Sequence, residues 1–180
     1  FLKPSDIRFD FALAGGALMD TGCYAVNMAR TFGGVAGTKK RLLVDDASPV
    51  LTAKDSRVDR AFRAQLHSED GAVTLHVHCS LMSAALFSMR AVIEGEHGSV
   101  DVWNPIAPQF GHLLRTKIKG ESTTTRVPGH SSYFHQLEAF RDAVVDDKAF
   151  ASTADDGVAN MVVIDSLYAK AGMPLRLSAP

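Results

Sequence analysis

Regular spacing of apolar residues predicts a helix near the start of the chain. Paired glycines stand at its two ends, Gly15-Gly16 before it and Gly33-Gly34 after it, as is typical of helix boundaries. The apolar side chains between them recur at the intervals that place them on one side of a helix. These apolar positions are Ala17, Leu18, Cys23, Val26, Met28 and Ala29.

A long middle section, residues 35 to 128, follows the two-residue period of β-strands. Apolar and polar residues alternate strictly between Val73 and Cys79, with His76 and His78 on the polar side. Such alternation is typical of a sheet with two unlike faces, and short glycine turns such as 69–71 indicate antiparallel strands. The predicted strands are 57–67, 73–79, 87–94, 99–103, 111–117 and 122–127.

Two further helices are predicted at the end of the chain, over residues 132–147 and 153–171. Thr153 and Asp156 form the pattern of a capping box at the start of the last helix, and Gly172 follows its end. Helix, strands and two helices in this order predict the α+β class. We expect an open, mainly antiparallel sheet with helices on one face, in a single domain spanning residues 1–180.

Composition and charge narrow the classes of partner. A formal net charge of −1 and a pI near 6.7 favour neither nucleic acid nor an anionic membrane surface as a partner. No apolar run approaches the roughly 20 residues of a membrane span. The two cysteines, Cys23 and Cys79, are too few for a disulfide framework and favour a cytoplasmic protein with reduced thiols.

Asp20 and Tyr24 are the candidate catalytic pair. They stand four residues apart and therefore share one side of a helix. A phenol can donate and accept a proton, although it needs a neighbouring cation to do so efficiently near neutral pH. The spacing alone favours a structural interpretation, in which Gly15-Gly16 opens the helix, Asp20 faces the helix dipole and Tyr24 lies at the edge of the core.

Residues 14–24 resemble the start of the C-terminal domain of the glucose–fructose oxidoreductase / inositol dehydrogenase (Gfo/Idh/MocA) family. That family's motif has three glycines, a leucine, an aspartate, a further glycine and then histidine or tyrosine. Ala14 replaces the first glycine in this chain. Similarity also covers residues 87–100, 133–143 and 155–172, and therefore nearly the whole chain. The residues that match the motif are Gly15, Gly16, Leu18, Asp20, Gly22 and Tyr24.

The resemblance implies a fold like the C-terminal domain of glyceraldehyde-3-phosphate dehydrogenase. It also implies an oxidoreductase that uses NADP or NAD and acts on a sugar, polyol or trans-dihydrodiol. A tyrosine at this position is similar to the branch that holds glucose–fructose oxidoreductase, dimeric dihydrodiol dehydrogenase and NADP-linked aldose dehydrogenases. By this resemblance, Tyr24 is the general acid–base that exchanges the hydroxyl proton, and Asp20 contacts or orients the substrate hydroxyl.

The chain departs from that family by lacking an N-terminal dinucleotide-binding domain. No Gly-x-Gly-x-x-Gly follows a strand, and no βαβ unit opens the chain. Lys3-Pro4 does not match the family's Glu-Lys-Pro motif, since the glutamate is missing. The chain opens on Phe1 without Met, like the middle of a longer protein. We therefore expect that this chain alone binds no cofactor and is inactive without the missing domain.

His76 and His78 project from one side of a predicted strand, and His67 lies on a neighbouring one. A His-x-His pair can bind zinc, but a structural zinc site takes four ligands, and we find no convincing set. A polar sheet face is the favoured interpretation, and no metal is assigned. In the resembling family this face packs against another subunit, which implies a homodimer.

The remaining substrate-binding candidates lie in four places. Trp103-Asn104-Pro105 begins an aromatic, proline-rich loop that is either a rigid surface turn or a wall of a sugar pocket. Arg8 and Gly16 precede the first helix, and Tyr133 and His135 stand at the start of the penultimate helix.

Three functions remain open at this point. The first is the catalytic half of a sugar or diol oxidoreductase. The second is a non-catalytic binding or dimerisation module of the same fold, and the third is a structural sheet domain with a metal site. The Asp20–Tyr24 pair favours the first, whereas the missing cofactor domain favours the second for this chain alone.

Overall fold

The order of helices and strands follows the order predicted from the sequence. A computed structural model describes residues 2–3, 5–38, 40–83, 88–150 and 152–176. Within these ranges a helix is followed by seven strands and two further helices, and all strand pairs are antiparallel. The predicted α+β class with open antiparallel sheets is confirmed. The chain divides into two compact units, Phe1–Ala84 with Ser152–Pro180, and Ala85–Ala151.

The first unit is built on three strands, β1 (Leu42–Leu51), β2 (Asp59–Ser68) and β3 (Thr74–Ser80), which pair in that order. Alternate residues of β2 and β3 are buried, and the residues between them form an exposed or half-exposed polar face. The two-residue period of the sequence therefore separates core from surface as predicted. The buried side chains of these two strands include Phe62, Ala64, Leu66, Leu75, Val77 and Cys79.

Helices cover the buried face of this sheet. In the described ranges the helices are α1 (Cys23–Phe32), α2 (Ser132–Val145) and α3 (Ala154–Lys170). Of these, α1 and α3 pack against each other and against the strands of the first unit. Their apolar sides complete the core, since apolar area removed from water is the main source of folding free energy. The helical core residues are Val26, Ile164, Leu167 and Tyr168.

A nearly buried arginine ties α1 to α3. Arg30 is 5% exposed, and its guanidinium lies 2.7 Å from Oδ1 of Asp156 and 3.2 Å from Oδ1 of Asn160. The Asn160 amide in turn donates to the carbonyl of Cys23 at 3.1 Å. Each polar group in this contact thus has a partner, which a charge removed from water requires.

The second unit holds the other four strands, β4 (Arg90–Gly95), β5 (Gly98–Trp103), β6 (Leu113–Ile118) and β7 (Glu121–Thr125). They form a second sheet in the order β4-β5-β6-β7, with a longer loop over residues 104–112 between β5 and β6. Helix α2 follows β7 in the same unit.

Side-chain caps start the last two helices. Ser131 accepts a hydrogen bond from the amide of Phe134 at the start of α2, and Thr153 accepts one from the amide of Asp156 at the start of α3. The Thr153 half of the predicted capping box is therefore present, whereas the Asp156 carboxylate pairs with Arg30. The predicted apolar stripe of α2 is exposed rather than packed, and its members are Tyr133, Leu137, Phe140 and Val144.

Three features differ from the expectations. Strand β1 was not predicted individually, because Asp45-Asp46 and Pro49 break its alternation. The strands form two sheets, where we expected one. The predicted strand over 87–94 begins at Arg90, and Phe87 lies outside the described residues. Among the helices that the structure describes, none combines the length and the apolar character that crossing a membrane requires.

We expect Arg30→Met to destabilise the chain by about 3 kcal/mol, because it leaves the Asp156 carboxylate without its cation. Urea unfolding followed by circular dichroism measures the loss. Arg41→Met, which removes an exposed arginine, is the matched control and should leave the free energy of unfolding nearly unchanged. Equal losses in the two variants would contradict the role given to Arg30.

Candidate functional site

The two glycines before the first helix have different packing roles. Gly15 lies so close to the preceding turn that a Cβ there would stand 2.7 Å from the carbonyl oxygens of Arg8 and Asp10. Its amide donates to the Asp10 carbonyl at 2.8 Å. A side chain at Gly15 would therefore push away the turn that carries Arg8.

Gly16 is buried and makes room for two side chains. Its φ is +144°, and a Cβ there would stand 2.4 Å from Oδ1 of Asp59 and 2.9 Å from the hydroxyl of Tyr168. Both the backbone conformation and the space exclude a side chain. Gly16 was predicted to bind the substrate. In the structure it packs against the side chains of Asp59 and Tyr168.

Asp59, the first residue of β2, clamps the start of the helix. Its Oδ2 accepts from the amide of Leu18 at 2.8 Å, while Oδ1 accepts from the Tyr168 hydroxyl at 2.9 Å and from Nη2 of Arg176 at 3.1 Å. Ala17, at the N-cap position, offers no capping side chain. The carboxylate of a distant strand therefore supplies the helix cap that the local sequence lacks.

The clamp is closed by Arg176 and by the protonated phenol of Tyr168. Side chains of Asp59 and Arg176 are both fully buried, and Nε of Arg176 donates to the Gly15 carbonyl at 3.0 Å. Burial, followed by the negative charge of Asp59, raises the pKa of Tyr168. The phenol therefore remains a hydrogen-bond donor to Asp59 at all physiological pH values.

The helix begins with a wide turn that carries Asp20. Residues Leu18–Gly22 form a π-helical turn, which continues without a break into α1. Gly22 is buried against β3, where a Cβ would stand 2.9 Å from Sγ of Cys79. Such turns occur often at functional sites, and this one lies directly before Tyr24. The sequence predicted the helix but not the π-helical geometry of its first turn.

Asp20 and Tyr24 both reach the surface. The side chain of Asp20 is 33% exposed, and Tyr24 is 53% exposed. Tyr24 is thus more than half exposed and is available to a ligand. The predicted roles of the pair in catalysis remain predictions.

Arg8 contacts Asp20 directly. Its Nε donates to Oδ2 of Asp20 at 3.0 Å, and its Nη1 donates to Oδ1 of Asp6 at 3.1 Å. The hydrogen bond to Asp6, together with the negative charge of Asp20, raises the pKa of Arg8. The structure therefore brings four of the predicted site residues to one place in the first unit, namely Arg8, Gly16, Asp20 and Tyr24.

The other four predicted site residues lie in the second unit. Trp103 ends β5, is 42% exposed, and lines a shallow cavity of about 410 Å³ with Arg90, Asp101, Leu113 and Arg115. An exposed indole beside charged groups is a suitable surface for a sugar ring. Its predicted contact with a substrate stays a prediction.

Asn104 is buried, and its amide holds the loop together. Nδ2 donates to the carbonyls of Ala107 and Gly111 at 2.7 and 2.6 Å, and Oδ1 accepts from the Ala107 amide at 3.2 Å. These bonds occupy the amide that was predicted to bind a substrate. The rigid-turn interpretation of the segment therefore describes Asn104 well.

Tyr133 and His135 lie in the first turn of α2 and are exposed. Nδ1 of His135 lies 3.1 Å from a carboxylate oxygen of Glu138, three residues further along the same helix. The structure gives neither residue a contact that tests its predicted role.

The three histidines lie on the polar face of the first sheet. His67 lies 2.7 Å from Oδ1 of Asp45, and in the strand pairing His76 stands opposite Gln65 and His78 opposite Arg63. Among the residues that the structure describes, no group of three or more histidine, cysteine, aspartate or glutamate side chains is arranged to hold a metal ion.

Comparison with known proteins identifies the family to which this chain belongs. Residues 2–101 match the family model of the GFO/IDH/MocA C-terminal domain. The chain belongs to this family. The resemblance seen in the motif of residues 14–24 is thereby confirmed.

This chain is similar to the curated D-xylose 1-dehydrogenase (NADP(+)) 2 of Haloferax volcanii. The two are 30% identical over 169 residues, a region that covers 92% of this chain and 49% of the relative. The chain thus spans about half the length of the curated relative that it matches.

Solved structures share the fold of this GFO/IDH/MocA domain. An aldose–aldose oxidoreductase from Caulobacter crescentus, in complex with glycerol, has a TM-score of 0.78 at 24% identity and covers 96% of this chain and 50% of its own. A 3-ketoreductase from Actinomadura kijaniata, in complex with NADP and TDP-benzene, has a TM-score of 0.75 at 20% identity, with 93% and 50% covered. At these identities the likeness shows the fold.

Sequence reasoning missed the residues that support the site. Asp59, Tyr168 and Arg176 lie in a strand, in the last helix and after it, so no local spacing connects them. The alternation of β2 would not have found Asp59, because its apolar positions are 62, 64 and 66 and Asp59 shares the phase of the polar Arg63 and Gln65.

We expect Gly16→Ala to destabilise the chain by about 3 kcal/mol, since its Cβ collides with Asp59 and its φ is strained. Gly34→Ala is the matched control, because Gly34 also has a positive φ but faces open space. The control should lose about 1 kcal/mol. Equal losses by urea unfolding would show that φ alone, and not the contact with Asp59, accounts for the effect.

Proposed function

We propose that this chain is the substrate-binding and catalytic half of an NAD(P)-dependent oxidoreductase that acts on a sugar, polyol or trans-dihydrodiol. The observation that carries the proposal is the exposed Tyr24 residue one helical turn after Asp20, whose carboxylate is held by Arg8. Two named relatives, a D-xylose dehydrogenase and an aldose–aldose oxidoreductase, act on aldoses by their names and support the substrate class.

The proposed chemistry assigns one role to each residue. Tyr24 exchanges the proton of the substrate hydroxyl as general acid–base, because a phenol can both donate and accept a proton. Asp20 accepts a hydrogen bond from a substrate hydroxyl and so orients the reacting carbon. Trp103 belongs to the second unit and remains a separate candidate for stacking against a sugar ring. Tyr133 and His135 are retained as candidate polar contacts.

The residues described here do not fit a dinucleotide. A dinucleotide cradle uses a glycine-rich turn between a parallel strand and a helix, whereas the strand pairs in the described ranges are antiparallel. We therefore assign NADP or NAD to an N-terminal dinucleotide-binding domain of the full-length protein, consistent with the half-length match to relatives. No residue of this chain is assigned to the cofactor.

The polar face of the first sheet is the proposed homodimer contact. Its exposed residues include His76 and His78, and the His67–Asp45 pair lies on the same face. Paired and hydrogen-bonding groups of this kind suit an interface between two copies of one chain. We place the protein in the cytoplasm, with neither nucleic acid nor membrane among its partners.

A second candidate is a non-catalytic binding or dimerisation module of the same fold. The antiparallel pairing of the described strands, which provides no cofactor cradle, favours it for the chain taken alone. The two candidate functions differ in what they require of Tyr24, because a module that only binds does not need the Tyr24 hydroxyl for proton exchange.

In the full-length protein, we expect Tyr24→Phe to lower kcat about 10²- to 10⁴-fold, because it removes the group that exchanges the substrate proton. Steady-state oxidation of aldoses with NADP, followed by absorbance of the reduced cofactor, measures the loss. Thr31→Val removes a hydroxyl from an exposed position of the same helix and should retain wild-type turnover. Wild-type turnover of Tyr24→Phe would favour the non-catalytic module.

By isothermal titration calorimetry, we expect the 180-residue chain to show no heat of binding with NADP or NAD. The reason is the lack of a parallel βαβ unit among the described residues. The full-length protein, titrated under the same conditions, is the positive control. Tight binding by the chain would overturn the assignment of the cofactor to another domain.

A further inference from the structure

We infer that Arg8 is a positioning residue that fixes the Asp20 carboxylate and leaves one of its oxygens to the substrate. This inference rests on the proposed function, since it takes Asp20 as the residue that contacts a substrate hydroxyl. It changes the role of Arg8, which the sequence placed among the residues that bind the substrate directly.

The contact between Arg8 and Asp20 uses one carboxylate oxygen. Nε of Arg8 donates to Oδ2 at 3.0 Å. No donor from the described residues is within hydrogen-bonding distance of Oδ1. The carboxylate is therefore held from one side, and its second oxygen can accept a hydrogen bond from a ligand hydroxyl without breaking the ion pair.

Arg8 itself is held at three points. The side chain of Asp6 accepts from the Arg8 amide at 3.0 Å and from Nη1 at 3.1 Å. The Arg8 carbonyl lies against Gly15, which has no side chain to displace it. The guanidinium is thus in place before a substrate arrives, as a group that orients a reacting partner must be.

Stability does not account for this arrangement. The side chains of Arg8 and Asp20 are 40% and 33% exposed, and ion pairs at that exposure contribute little to folding because water screens them. A role in orienting Asp20 needs only a fixed geometry, which the contacts to Asp6 and Gly15 provide. The loss of Arg8 should therefore change activity while leaving the fold intact.

The chain contains a matched control for Arg8. Asp55 and Arg57 repeat the Asp-x-Arg spacing of Asp6 and Arg8, with the Arg57 amide donating to Asp55 at 2.9 Å and Nη2 lying 2.8 Å from Asp55 Oδ2. Within the described ranges the Arg57 guanidinium pairs with Asp55 and lies 4.5 Å from the centre of the Phe11 ring, and it makes no contact with Asp20.

The test is a double-mutant cycle in the full-length protein. The variants are Arg8→Gln, Asp20→Asn, the double variant and Arg57→Gln, with kcat and KM measured on an aldose with NADP and thermal melts for each. We expect Arg8→Gln to lower kcat/KM at least about tenfold without lowering the melting temperature, as displaced reacting groups do. Arg57→Gln should match the wild type.

The double variant decides how Arg8 acts. If Arg8 works through Asp20, adding Arg8→Gln to Asp20→Asn lowers kcat/KM by less than about twofold. If the two losses multiply, Arg8 contacts the substrate by itself and the inference is wrong. Arg8→Lys keeps the charge and one donor and should recover part of the loss, which a purely structural defect would not show.

The same variants separate this inference from the function on which it rests. Full activity of Arg8→Gln together with a loss in Asp20→Asn would overturn the role of Arg8 and leave the proposed function standing. Full activity of Asp20→Asn would remove Asp20 from the proposed site, and the role of Arg8 would fall with it.

Discussion

The buried carboxylate of Asp59 is the contact on which the site depends. It joins the amide of Leu18 at the start of the first helix to β2, to Tyr168 on α3 and to Arg176 after α3. A carboxylate without access to water is costly unless a cation and hydrogen bonds compensate it, and here both are present. The guanidinium of Arg176 also lies 4.1 Å above the Tyr168 ring. Three segments far apart in the sequence thus meet at one charge.

Gly15 and Gly16 make this contact possible, and Gly15 also allows the turn that holds Arg8 to approach the start of the helix. Because Gly16 has no side chain, the Asp59 carboxylate can approach it closely. Gly15 in the same way leaves room for the backbone of the turn that holds Arg8. Both approaches are closer than any side chain allows. The motif that suggested a site from its resemblance therefore has a separate physical explanation: without side chains, the two glycines leave room for the buried Asp59 and for the backbone of the partly exposed Arg8.

The sequence allowed the elements to be predicted where a local period or a cap defines them. Alternation in residues 73–79 and the cap formed by Thr153 are present in the structure, as is the helix between the paired glycines. Features that arise from distant contacts were not predictable in this way. Asp59 and Tyr168 are 109 residues apart in the sequence. The Asn104 amide donates to carbonyls of its own loop, where the sequence has no regular spacing of apolar residues from which this contact could be predicted. Strand β1 was hidden because pairing with β2, rather than its own alternation, makes it a strand.

Burial explains why two similar ion pairs have different consequences. Asp59 and Arg176 are both removed from water, so their contact holds the fold and leaves no oxygen for a ligand. Asp20 and Arg8 form the same kind of pair at 3.0 Å but remain partly exposed, so water weakens the contact while one carboxylate oxygen stays accessible. A group that must accept a hydrogen bond from a substrate cannot be fully satisfied by the protein. The buried pair therefore holds the start of the helix, while the partly exposed pair leaves an oxygen accessible to a ligand.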